Sequence, residues 1–162
     1  AKDSRMKGSY LITRFVSFYL LFNNLLLENG KTYEYMGDLD ELIEITLTQL
    51  NDAPENKLEE LKNLTIRYLN MSYQILGRGA FRRGLQESKP INMNIFETTL
   101  YFMSLSLNES RKISNKKIYD GLQNMINSNL FLRYIGNSRD NFVNVNGRFK
   151  MAEDLWKEIS RD

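Results

Sequence analysis

Histidine and cysteine are both missing from this 162-residue chain. Without histidine, no side chain has an unperturbed pKa near neutrality, and the commonest transition-metal ligand is gone. Ser-His-Asp triads, zinc fingers that use histidine and nuclease sites of the HNH type are therefore excluded. Without cysteine there are no disulfides, thiolate zinc sites or thiol nucleophiles, and a reducing compartment, the cytoplasm, is the expected setting. Carboxylate, lysine, tyrosine and hydroxyl chemistry remains, and that usually calls on a cofactor or a hard cation. A formal net charge of only +2 gives no bulk drive toward nucleic acid. The one long apolar run, Tyr10–Leu27, approaches the length of a membrane span, but Arg14 and the Asn23–Asn24 pair interrupt it. It reads as a buried central helix, with no membrane association.

What is present describes a soluble globular chain: 42% hydrophobic and 26% charged residues. Its length suits one domain, residues 1–162, with a core of useful size. Charge is unevenly placed. Residues 1–62 carry 7 basic and 11 acidic side chains, and residues 63–162 carry 15 and 9. Such a division orients a molecule on a polyanion or marks two solvated faces. The chain opens on alanine, followed by a polar lead-in, Lys2–Lys7, and no signal peptide is visible. It is read as an excerpt of a longer protein.

Helical periodicity runs through most of the sequence and predicts an all-α domain of about six helices. Residues 8–28 form the first, apolar on most faces. Asp38 is placed to cap the second, with Leu39, Ile43, Leu47 and Leu50 on one stripe and Asp40, Glu41 and Glu44 opposite. Asp52 and Pro54 signal a restart, with Asp52 as cap. The third helix carries Leu61, Leu64, Tyr68, Met71 and Ile75 and stops at Gly77. Pro90 and Asn92 start the fourth, whose inner face is Phe96, Leu100, Met103 and Leu107. Ser114 caps a fifth bearing Ile118, Leu122 and Met125. The last presents Phe149, Ala152, Trp156 and Ile159. Residues 129–146 are the least helical, an irregular or extended segment in which Phe142 to Val145 alternate like a short strand.

The stretch from Gly77 to Phe96, GRGAFRRGLQESKPINMNIF, is the most functionally suggestive. Its glycine spacing matches neither the dinucleotide fingerprint nor the Walker pattern, and a helix precedes it where a phosphate loop has a strand. Gly77 and Gly79 are better explained as helix terminators. Arg78, Arg82, Arg83 and Lys89, opposed only by Glu87, suit phosphates through bidentate hydrogen bonds and are the candidate nucleic-acid contacts. The competing reading pairs them with the acidic second helix or leaves them in water. Phe81 among them plugs the loop into the core or stacks on a base. Asn92 caps the amides of Asn94 or Ile95, with Glu97 in the same first turn. Arg14 on an apolar helix needs partners, because a buried unpaired guanidinium is costly. It makes an internal ion pair or faces a neighbouring domain, and the same holds for Arg148 beside Phe149. Asp40 and Glu44 share a helix face at a spacing that would hold Mg²⁺, yet no nucleophile or base stands beside them, and a solvated surface is expected.

Taken in order, Arg14-Phe15-x-x-Phe18-Tyr19, Ala80-Phe81-Arg82, Pro90-Ile-Asn92 with Phe96-Glu97, and Arg148-Phe149 form a recognisable set. Together they resemble the C-terminal helical part of the nucleotide-handling subunit of GmrSD-type DNA restriction systems, a family long catalogued as a domain of unknown function. The resemblance implies a parent with an N-terminal lobe similar to ParB and sulfiredoxin. That lobe carries an Asp-Gly-Gln-Gln-Arg signature and hydrolyses a nucleoside triphosphate with a divalent cation. It also implies a partner subunit or domain of HNH type that cuts modified foreign DNA. No Gln-Gln-Arg occurs here, the nearest string being Gly84-Leu-Gln-Glu87, so no catalytic residue and no cofactor is carried over. What is carried over is a helical support for the lobe. Arg14, Phe15, Phe81, Asn92, Phe96, Arg148 and Phe149 stand on motif positions without an assigned role.

Overall fold

The computed structural model describes residues 2–107 and 112–161, with side chains from residue 7 onward. Seven α-helices are present among the described residues: α1 Lys2–Phe22, α2 Leu39–Asn51, α3 Glu55–Leu76, α4 Met93–Leu107, α5 Asn115–Asn127, α6 Asn129–Tyr134 and α7 Phe142–Ser160. One two-stranded hairpin, β1 Leu27–Glu28 and β2 Lys31–Thr32, separates α1 from α2. The all-α expectation holds. No helix among the described residues is long and apolar enough to cross a membrane.

The central helix is α4, not α1. Asn94 to Ser104 are buried without a break on α4, which packs against α1, α3 and α7 at once. The sequence MNIFETTLYFMSLSL explains this, since Glu97 is its only charged residue and no face is polar enough to meet water. Helix α1 covers one flank through Phe15, Val16, Phe18, Leu20 and Leu21. Between α1, α4 and α7 the rings of Phe18, Phe22, Tyr101 and Phe149 interlock, with centroids of 4.5–6.3 Å from Phe22 and Phe149 to their neighbours. Each buried aromatic of this kind is worth about 1.5–3 kcal/mol in transfer free energy.

Several expected boundaries shift for identifiable reasons. Helix α1 starts at Lys2 instead of residue 8: Lys2, Arg5, Met6 and Lys7 are good helix formers, and Asp3 suits a first turn. It ends at Phe22, six residues early. Asn24 takes the left-handed conformation (φ 56°), Asn24 N–H donates to Leu21 O, and Leu25 N–H donates to Leu20 O. That pair of bonds is a Schellman stop with asparagine in the usual glycine position. Asn29 and Gly30 then turn the hairpin with φ of 52° and 76°, the type I′ preference of Asn-Gly that outweighs the helical pattern of Leu25–Leu27. On α2 the buried stripe is Leu42 and Thr46, while Leu47 is 44% exposed. Thr46 is tolerated inside because its hydroxyl donates to Leu42 O. Asp52 terminates α2 and does not cap α3, whose N-cap is Pro54.

The segment 129–146 is mostly helical. Ser128 caps the short α6, and Asn141 accepts from Asn144 N–H at 2.8 Å to open α7, so Phe142 to Val145 are its first turn and not a strand. A local cap decided against a period-two pattern only four residues long. The caps expected at Asp38, Asn92 and Ser114 are all formed.

Candidate functional site

Two places concentrate the residues singled out above. One is a buried charge cluster between α1, α4 and α7. Arg14 donates from Nε to Glu97 Oε2 at 2.8 Å and from Nη2 to Glu97 Oε1 at 3.0 Å, a bidentate pair. Its Nη2 also reaches Asn94 Oδ1 at 3.2 Å and Asp140 Oδ1 at 2.9 Å. Arg148 donates from Nη2 to the same Glu97 Oε1 at 2.6 Å and from Nη1 to the Arg139 carbonyl. Arg14, Glu97 and Arg148 are at most 1% exposed. The rings of Phe18 and Phe149 lie under the guanidinium of Arg148, and Phe18 also faces that of Arg14.

Two positive and two negative charges make the cluster neutral, which is what a low-dielectric interior requires. Burial disfavours the charged form of Arg14. Glu97 and Asp140 outweigh that penalty and hold the guanidinium protonated well above its ordinary range. Arg14 and Arg148 thus make the internal ion pairs anticipated for them. Phe15 is fully buried beside them, edge-on to Tyr68 of α3. Glu97, Asn94 and Asp140 were not singled out as partners. The signal for Glu97 was present, as the lone charge in an apolar helix; Asp140 sits in a polar loop among other polar residues and carries no such mark.

Tyr35 closes the outer side of this cluster, donating its hydroxyl to the Asp140 carbonyl. Desolvation first, then repulsion by Asp140, pushes its pKa up to about 12, although Arg148 and Arg14 oppose the rise. Burial likewise raises Tyr33, Tyr68 and Tyr101. A tyrosine whose folded pKa exceeds its unfolded value of about 10 stabilises the fold fully below that value. The contribution disappears as pH climbs through the folded pKa. Stability is therefore expected to fall from about pH 10 upward, with these four phenols ionising only as the chain unfolds. Absorbance of phenolate followed against pH, alongside circular dichroism, checks this; four early, independent ionisations would contradict it.

The second place is the loop after α3. It is an ordered structure with 3₁₀ turns at Gly77–Gly79 and Arg83–Leu85. Phe81 points inward with no exposure, at 4.7 Å from the Phe96 ring and 5.4 Å from that of Tyr73, so it is the core plug. Asn92 N–H donates to Phe81 O at 2.8 Å, and Arg82 bridges to Ile91, which ties the two ends of the loop together. Gly79 has a packing reason as well: a Cβ there would fall 1.9 Å from the Leu85 carbonyl oxygen.

The four basic side chains are not equivalent. Arg82 is spent on the loop itself, donating to the carbonyls of Arg78 and Lys89. Arg78 is exposed and pairs with Glu87 at 3.3 Å, and no carboxylate of α2 takes part. Arg83 and Lys89 are exposed. The structure thus leaves Arg78, Arg83 and Lys89 on the surface and makes Arg82 a staple. Among the described residues, no group of three or more acidic side chains is placed to hold a metal ion.

Comparison of the chain with protein-family models, with curated proteins and with solved structures gives no match in any of the three.

Proposed function

We propose that this chain is the non-catalytic helical support of a GmrSD-type restriction protein, packing in the cytoplasm against a nucleotide-binding lobe of the same polypeptide and touching DNA through the loop after α3. The observation that carries the reading is the convergence of the ordered motifs. Arg14, Glu97 and Arg148 come from three helices, over 134 positions of sequence, and meet on a single carboxylate. Phe15, Phe81, Phe96 and Phe149 all belong to the one buried core. Motif residues used this way hold a fold in place, which is the work of a support; triphosphate and divalent cation belong to the lobe, and strand cleavage to an HNH partner.

Direct DNA contact would fall to Arg78, Arg83 and Lys89. Affinity for duplex DNA should drop by about 0.9 log unit per decade of salt for each phosphate neutralised. The triple change Arg78→Ala, Arg83→Ala, Lys89→Ala is then expected to reduce the slope by about 2–3. Arg82 is left alone because its loss would undo the loop. The purified chain should turn over no nucleoside triphosphate; steady hydrolysis would sink the reading.

A protein-interaction bundle is the second reading, favoured by one contact: Arg78 already engages the carboxylate of Glu87. An unchanged salt slope in the triple variant selects it.

A further inference from the structure

Two fully buried guanidiniums share one fully buried carboxylate, and the second negative charge comes from elsewhere. Asp140 supplies it from the loop 136–141, with its side chain 28% exposed. This carboxylate fits its place imperfectly. It makes one short bond to Arg14 (2.9 Å), one long bond (3.5 Å), and stands 3.7 Å from Arg148. Among the described residues, Arg148 Nε and Asn94 Nδ2 are buried donors with no protein partner, and Asn94 touches Arg14 through its other amide atom. Leaving such donors unmet forfeits their hydration without replacement. The cluster therefore has more donors than Asp140 and Glu97 satisfy, and every unmet group asks for an acceptor.

We propose that Arg14, Arg148 and Asn94 form a carboxylate-binding site, and that Asp140 fills it as an intramolecular stand-in which an incoming carboxylate replaces. Charge selects the ligand class. Two guanidiniums against Glu97 leave one positive charge, which a carboxylate neutralises one for one. A phosphate monoester brings about −1.5 to −2 and overcharges a buried site. The way in lies above Asp140, an open depression of about 470 Å³ lined by Gly37 and residues 136–141. Moving Asp140 outward gives up two further side-chain bonds, from Tyr35 and from Arg148 to the loop carbonyls. Other ties of the loop are local, from Asn144 Nδ2 to the carbonyls of Asn137 and Ser138, from Asn141 N–H to Ser138 O and from Gly136 N–H to Arg133 O. Met36 and Phe142, next in sequence to the lining residues Gly37 and Asn141, are 75% and 50% exposed and Val143 is 66% exposed, with Gly37 against the backbone of Asn141 and Phe142. An acidic side chain flanked by apolar ones on a partner peptide matches both features. The proposal does not rest on the restriction-system reading.

Asp140→Ala opens the site, and Asp140→Asn does so with less change in shape. Thermal unfolding of each is compared in sodium acetate and in sodium chloride at equal ionic strength. Acetate is expected to raise the melting temperature of either variant by about 3 °C, saturably. The ¹⁵Nε resonances of Arg14 and Arg148 should shift with the same midpoint. In the unsubstituted protein, amides 136–141 should exchange faster in acetate than in chloride. The peptide acetyl-Leu-Glu-Leu-amide should act at lower concentration than acetate, and its glutamine counterpart should not act. Equal melting in acetate and chloride for both variants overturns the site; inorganic phosphate outperforming acetate overturns the carboxylate assignment. Unaltered loop exchange in the unsubstituted protein overturns the stand-in role of Asp140.

Discussion

Glu97→Gln is expected to destabilise the domain by about 3–5 kcal/mol, lowering its melting temperature by about 10 °C or more. The amide preserves shape but withdraws the charge that both Arg14 and Arg148 face at 2.6–3.0 Å. It also points an N–H at a guanidinium that has none to accept it. Asp140 cannot compensate, since it holds Arg14 on one side and stays 3.7 Å from Arg148. The cost is that of two buried cations left with half their counter-charge, and it does not measure what the intact cluster contributes. The combined change Arg14→Met, Glu97→Leu, Arg148→Met removes desolvation and attraction together and should come out near neutral, or more stable by about 1–4 kcal/mol. Asp140 would then turn to the water it already touches. Urea unfolding of the single and triple variants decides this. A single change that costs less than about 1 kcal/mol would mean that the arginines find other partners.

That contrast also marks how far the sequence could be read. Helix content followed from periodicity, and the arginines of α1 and α7 were recognisable because a guanidinium among apolar residues has to be paired. Their shared partner was harder to name. Glu97 looked like an ordinary first-turn acid beside the Asn92 cap, and only the burial of every face of α4 turns it into the hub. Asp140 was unreadable, because its role depends on where a six-residue loop lands in space. The misplaced boundaries have a common cause: single residues with strong local preferences overrode longer patterns. Asn24 stopped α1, Asn29-Gly30 made a hairpin, and Asn141 began a helix where alternation suggested a strand. In the basic loop, composition alone could not separate Arg82, turned back on its own carbonyls, from Arg83, one residue on and in solvent.

Phe81→Ala is expected to cost about 3–5 kcal/mol, the range for emptying a buried aromatic site. Phe81 holds a left-handed conformation (φ 67°), which costs a residue with a side chain about 1–2 kcal/mol. The site accepts that strain because the ring fills space against Phe96 and Tyr73 and because the carbonyl receives Asn92 N–H. Alanine keeps the strain and loses the ring. Glycine loses the ring too, but adopts this backbone freely. Phe81→Gly should therefore be less damaging than Phe81→Ala by about 1 kcal/mol, reversing the order seen at most positions. Both variants should free the loop before the bundle melts, because Phe81 is its only fully inserted large side chain between Gly77 and Pro90. Limited trypsin digestion then reads the local effect: cleavage after Arg78, Arg82 and Arg83 should speed up at temperatures where helical circular dichroism is unchanged. Global unfolding without earlier cleavage would show instead that the loop and bundle form one cooperative unit.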